Sequence, residues 1–192
     1  AREFGLLDLK EMDFLEMPFE SDVRTVKEII LHRNRFQVAP DLLHQARMLT
    51  SLDFSENFLE KIPSSIWQEV TNLVTLRLSK NRLPALARTI GELRKLENLY
   101  CDENILEDLP NTISSLQNLK ICDLTHNRLS TLHVSVGGLT KIEHLILTRN
   151  KLVTLPLEIQ GMTSLKTFLL RANDLQTIPD VWDKMHLIQL DL

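Results

Sequence analysis

Cysteine is scarce: Cys101 and Cys122 are the only two in 192 residues, so no disulfide framework of a small secreted domain can be built. No Asn-x-Ser/Thr sequon occurs either, and both absences favour a reducing, cytosolic compartment. Five glycines leave no glycine-rich loop to cradle a phosphate. Aromatic residues make up 5%, so a core here must come from aliphatic side chains. No apolar run reaches membrane-spanning length, and the first residues lack the cationic and apolar stretches of a secretory signal. The formal net charge of −4 gives no excess of positive charge for nucleic acid.

What is abundant is leucine, at 38 positions, and it recurs at regular intervals. Asn34, Asn57, Asn81, Asn104, Asn127, Asn150 and Asn173 follow one another at spacings of 23 or 24 residues. Each follows apolar residues at three fixed offsets, as in Leu73, Leu76 and Leu78 before Asn81, or Leu119, Cys122 and Leu124 before Asn127. The unit is Leu-x-x-Leu-x-Leu-x-x-Asn-x-Leu. Its Leu-x-Leu alternation sends two aliphatics inward from a short strand and the intervening residue to the opposite face. An asparagine side chain donates and accepts, so one copy per unit can satisfy backbone groups where the chain leaves the strand. Prolines at 18, 40, 63, 110, 156 and 179 carry no N–H and suit a return path outside the sheet.

This unit resembles the leucine-rich repeat over nearly the whole chain. Its second half, Leu-Pro-x-x-Ile, as in Leu109-Pro110 to Ile113 and Leu155-Pro156 to Ile159, is similar to the intracellular Ras-suppressor and scribble-like subtype. The resemblance implies an α/β solenoid: a curved parallel sheet on the concave face and short helical or irregular returns on the convex face. It also implies a cytoplasmic protein-interaction scaffold in signalling or cytoskeletal organisation, with a small GTPase or phosphatase as the partner class. The alternative is a recognition segment of a larger enzyme: a Roco-type kinase, a repeat-containing phosphatase or a ubiquitin ligase.

A single repeat domain over 1–192 is expected. It comprises a degenerate capping unit at 4–25, regular units starting near 26, 49, 73, 96, 119, 142 and 165, and an unfinished unit from 187. In the first unit Phe4, Leu7 and Leu9 take the strand slots and Met12 replaces the asparagine. The unfinished unit leads to the expectation that the natural chain continues past Leu192. Ser64, Ser65, Ile66 and Trp67 read as a serine-capped helical turn on the convex side. Pro84 lies three positions early and Ala87 replaces the usual proline, so the back of that unit is expected to follow a different path.

No catalytic constellation emerges. His32, His126 and His144 stand at outward offsets with no nucleophile and orienting carboxylate grouped around them. Cys122 and His126 are spaced like a metal pair, but one is at an inward slot and the other lies past the strand, and structural zinc needs four grouped ligands. No catalytic, cofactor or metal residues are assigned, and no cofactor is expected.

Function should therefore lie in the outward rows. The eighth offset reads Glu11, Arg33, Glu56, Lys80, Glu103, His126 and Arg149, alternating in sign until the last two, as in a self-neutralised rim. The fifth offset, central on the face, reads Asp8, Ile30, Asp53, Arg77, Tyr100, Asp123, Ile146, Leu169 and Asp191. Arg and Tyr are residue types that anchor interfaces, and exposed aliphatics with a basic border suit a partner segment. The partner-binding candidates are Arg77, Tyr100, Asp102, Asp123, Ile146, Leu169 and Arg171. Arg149 lies at the border beside them. Nucleic-acid binding and membrane insertion are not expected.

Overall fold

A computed structural model describes residues 5–18 and 22–192, with Lys184 described by its backbone alone. Phe4, assigned above to a strand slot, lies outside the described residues. Nine three-residue strands form one parallel sheet in sequence order: β1 (Leu6–Asp8), β2 (Glu28–Ile30), β3 (Ser51–Asp53), β4 (Thr75–Arg77), β5 (Asn98–Tyr100), β6 (Ile121–Asp123), β7 (His144–Ile146), β8 (Thr167–Leu169) and β9 (Gln189–Asp191). Every strand pairs with the next unit at the same offset, so the spacing of the sequence is also the register of the sheet. This is the expected parallel-sheet solenoid.

The middle residue of each inner strand points inward, and Ile29, Leu52, Leu76, Leu99, Cys122, Leu145 and Phe168 line up as a buried row. A second inward row, Leu31, Phe54, Leu78, Cys101, Leu124, Leu147 and Leu170, stacks beside it. Each unit buries little apolar surface alone; stacking closes the core.

The asparagines bind these layers together. Asn81 donates from Nδ2 to the C=O of Phe54 one unit earlier at 2.9 Å and to its own Leu78 at 3.0 Å. Its Oδ1 accepts the N–H of Leu59 at 2.9 Å. The same three-way pattern recurs at Asn57, Asn104, Asn127, Asn150 and Asn173. Met12 has no such side chain, and Asn34 reaches across to cover it, accepting N–H groups from both Met12 and Phe14.

The chain returns through single 3₁₀ turns, at Asp41–Gln45, Arg88–Glu92, Asn111–Ser115, Val134–Gly138 and Leu157–Gly161. The unit with one extra residue instead makes the helix α1 (Ser64–Glu69). Three expectations about the returns need correction. The residue that opens α1 is Pro63 and no side chain caps it; Ser65 instead donates its hydroxyl to Asp41 Oδ1 at 2.9 Å. Trp67 is fully buried and belongs to the core rather than to the convex surface.

The back of the Pro84 unit also follows the common path. Ala87 adopts φ −60° and ψ 144°, close to Pro110 at −65° and 145°, because alanine reaches the backbone angles that proline only pre-sets. The departure is confined to Pro84 itself. In neighbouring units this position donates its N–H one unit back, as Glu60 does to Gln37 at 2.8 Å, and proline has no N–H to give Glu60.

Candidate functional site

The fifth-offset residues are direct partners across the sheet: Asp53 pairs with Arg77, Arg77 with Tyr100, Tyr100 with Asp123, Asp123 with Ile146, and Ile146 with Leu169. They share the face opposite the core, since side chains alternate along a strand. Arg77 carries its guanidinium carbon 5.2 Å from the centroid of the Tyr100 ring. At a surface such a contact is worth about 0.5–1 kcal/mol, and it holds both side chains in a defined arrangement.

Two of the candidate carboxylates have structural duties. Asp102 accepts a short hydrogen bond from the Ser79 hydroxyl of the neighbouring strand. Asp123 accepts the N–H of Thr125, two residues on, at 2.9 Å. The same bond forms from Ser55 to Asp53 and from Lys10 to Asp8, so an Asp at the fifth offset satisfies a backbone N–H of its own strand. One oxygen of Asp123 is thus already occupied.

Ile146 and Leu169 are half-buried rather than exposed, and so is Ile121. Parallel strands lie about 4.8 Å apart, so each side chain in a row is shielded by its two lateral neighbours. The strongly exposed apolar residues lie elsewhere. Phe58 (39% exposed) and Val38 (43%) sit on segments after the asparagines, and the Arg82 guanidinium carbon lies 4.6 Å from the Phe58 centroid. Val38, Glu60, Lys61, Arg82, Pro84 and Ile105 border a groove of about 800 Å³, and Phe58 adjoins it through its contact with Arg82. The signal for it was present: Phe58 stands where other units place Arg35, Arg82, Arg128 or Lys151.

The eighth-offset row forms the expected rim ladder over its first four members. Arg33 pairs with Glu11 at 2.9 Å and Glu56 at 3.2 Å, and Lys80 with Glu56 at 3.8 Å. Every member has a left-handed backbone, from Glu11 at φ 57° to Arg149 at φ 57°, and Ala172 continues the series at 58°. No glycine or asparagine marked this. A second ladder at the start of the strands was also missed. Lys120 pairs with Glu97 at 2.8 Å and Lys166 with Glu143 at 2.5 Å, and the Lys166 ammonium holds the Glu143 carboxyl below its usual range.

Arg171 and Arg149 are exposed, and no ion pair reaches either among the described residues. His126 is exposed while Cys122 is buried, so these two do not converge on one site. Among the described residues no three His, Cys, Asp or Glu side chains gather where they could hold a metal ion. None of the described helices is long and apolar enough to cross a membrane.

Comparison with known proteins identifies the repeats. The profile described as Leucine rich repeat matches residues 94–152, and a second of the same description matches 48–68. The chain is 30% identical over 99 residues to a probable serine/threonine-protein kinase, pats1, of Dictyostelium discoideum, a match covering 49% of this chain and 3% of the kinase. It is 31% identical over 74 residues to MAP kinase phosphatase with leucine-rich repeats protein 3 of the same organism, covering 38% of this chain and 8% of the phosphatase. The chain thus spans a small part of either curated relative. A leucine-rich-repeat protein structure from Leptospira interrogans superposes with a TM-score of 0.89 at 30% identity, over 97% of this chain and 54% of that one. Repeat spacing, asparagine ladder, strand register and these likenesses agree: the chain carries leucine-rich repeats and is folded as a leucine-rich-repeat solenoid.

Proposed function

We propose that this chain is a protein-interaction module whose concave sheet face holds a partner, with Arg77 and Tyr100 as central anchors and Asp102, Asp123, Ile146, Leu169 and Arg171 around them. The supporting observation is the stacked Arg77–Tyr100 pair at the middle of the sheet. Rim charges on the same side are largely spent on one another, whereas this pair presents an aromatic face and a guanidinium without a carboxylate partner among the described residues. Aromatic and Arg side chains at interface centres carry binding energy out of proportion to their number. The reading extends to a cytoplasmic, Ras-suppressor or scribble-like scaffold in signalling or cytoskeletal organisation, with a small GTPase or a phosphatase as partner.

Affinity capture from cytosol with the wild-type chain and single variants tests it. Tyr100→Ala and Arg77→Ala lose the captured proteins, each weakening binding by about 2 kcal/mol, while Glu56→Ala and Lys80→Ala on the rim retain them. Retention by Tyr100→Ala together with loss in Phe58→Ala moves the partner to the lateral groove and ends the concave-face reading.

A second reading is favoured by the two Dictyostelium relatives, a kinase and a phosphatase. In it the repeats are the recognition segment of a larger signalling enzyme, a Roco-type kinase, a repeat-containing phosphatase or a ubiquitin ligase. A complete coding region that specifies a catalytic domain alongside the repeats supports it, and one that specifies repeats alone rejects it.

A further inference from the structure

Many charged side chains around this sheet face form pairs, Lys10 with Asp8, Arg33 with Glu11 and Glu56, Lys80 with Glu56, Lys120 with Glu97, and Lys166 with Glu143, while Arg77 lies against Tyr100 and Glu103 has no ion pair among the described residues. Arg149 and Arg171 stand outside this scheme. They are neighbours, since the N–H of Arg149 donates to the C=O of Arg171 at 2.8 Å. Both are exposed, and neither has a carboxylate within ion-pair distance among the described residues. On the eighth-offset row Arg149 stands between His126 and Ala172, so the alternation of sign that neutralises the first units is broken here. β7 and β8 contribute no carboxylate. The acidic residues next in register are Asp123, which accepts the Thr125 N–H, and Asp191 on β9 beside Leu169.

Two arginines whose backbones are hydrogen-bonded across neighbouring strands, with no counter-charge beside them, concentrate positive potential that a bound anion relieves. Beside them on the same face lie Ile121, Ile146 and Leu169, half-buried aliphatics that form a shallow apolar platform. A guanidinium fork matches a carboxylate in a bidentate geometry, and an aliphatic platform matches an aliphatic side chain. Nucleic acid fits less well, because the site offers two guanidiniums and no Phe, Tyr or Trp ring, only the imidazoles of His126 and His144 at its edge.

We infer that β6–β8 dock an acidic peptide segment of the partner, its carboxylates on Arg149 and Arg171 and an adjoining aliphatic side chain on Ile146 and Leu169. This rests on the concave-face reading and adds the partner's chemistry and its polarity along the sheet: the acidic stretch lies over β7 and β8.

The test uses the whole chain and short fluorescein-labelled synthetic peptides, read by fluorescence anisotropy: one alternating Glu and Leu, one with Lys for each Glu, and one with Ser for each Leu. The Glu–Leu peptide binds wild type, and both substituted peptides bind at least about tenfold more weakly. Arg149→Ala and Arg171→Ala each weaken the Glu–Leu peptide about tenfold, and Arg149→Glu with Arg171→Glu reverses the preference toward the Lys–Leu peptide. Lys80→Ala, on the rim outside β6–β8, changes it less than about twofold, and because this readout uses the peptide alone, loss of partner capture in Tyr100→Ala is scored separately from loss of peptide binding in the Arg149 and Arg171 variants. Unchanged thermal unfolding of the variants shows that the fold is intact. Absence of binding by wild type, equal binding of the Glu–Leu and Lys–Leu peptides, insensitivity to both Arg→Glu changes, or displacement by a single-stranded oligonucleotide overturns the inference.

Discussion

The side-chain nitrogen of Asn127 donates to the C=O of Cys101, one repeat earlier, at 2.9 Å and to the C=O of its own Leu124 at 3.1 Å. The oxygen of the same amide accepts the Leu106 N–H at 2.9 Å. One side chain therefore satisfies buried backbone groups of two layers. Asn127→Ala leaves them without partners, and a loss of about 1–3 kcal/mol is expected. Asn127→Asp does worse, because a carboxylate has no proton for either carbonyl. Urea titration decides, and near-neutral behaviour of Asn127→Ala would show that water replaces the amide.

This ladder was legible because its residue type and spacing repeat without exception from Asn34 to Asn173. The sheet register was legible for the same reason. Other features were hidden where several side chains serve one backbone need. The left-handed residue after each strand is Glu, Arg, Lys, His or Ala, and nothing in those identities announces its conformation. Asp123 read as a free anchor because the Asp-x-Thr motif that turns it toward its own strand also occurs without that bond elsewhere in proteins. Ile146 and Leu169 were correctly placed on the outer face, yet how far their neighbours shield them depends on side-chain volumes on three strands at once.

The left-handed row yields a prediction at Glu103, which has φ 53° and no ion pair among the described residues. An L-residue with a Cβ pays about 1–2 kcal/mol there, and β-branching adds to it. Glu103→Val is expected to lower stability by about 1–2 kcal/mol. Glu103→Gly relieves the strain while loosening the unfolded chain, so it leaves stability unchanged or raises it by up to about 1 kcal/mol. Thermal unfolding of the two variants checks the sign, and a more stable valine variant would contradict the assigned backbone.

Burial protects both thiols. It pushes Cys122 up to about 12, with Asp123 adding to the effect, and holds Cys101 well above its ordinary value. Ellman's reagent should leave both unmodified in the folded chain and react with both after denaturation. An unfolded thiol loses its proton from about pH 8.5 upward while the folded one keeps it. The unfolded state then binds fewer protons, so stability falls as pH rises above that value, and replacing Cys122 with Val removes its share of the slope. Rapid labelling of the native chain would contradict the burial.

The returns impose a constraint of their own at Gly137, in the turn Val134–Gly138 that stacks on Leu157–Gly161. A Cβ built on Gly137 would lie 2.2 Å from the C=O oxygen of Glu158, and one on Gly161 would lie 2.5 Å from the C=O oxygen of Gly137. These obstacles are backbone atoms, so no side-chain rotation removes the overlap; the turns must separate and carry the attached core layers with them. Overpacking of this kind costs about 1–3 kcal/mol. Gly137→Ala should therefore be destabilising by that amount although alanine ordinarily stabilises a turn, whereas Val134→Ala, at a position 51% exposed in the same turn, should stay within about 0.5 kcal/mol of wild type. Chemical denaturation of both variants separates a spacing constraint from a propensity effect: equal small changes would mean that the turns stack less tightly than the glycines imply.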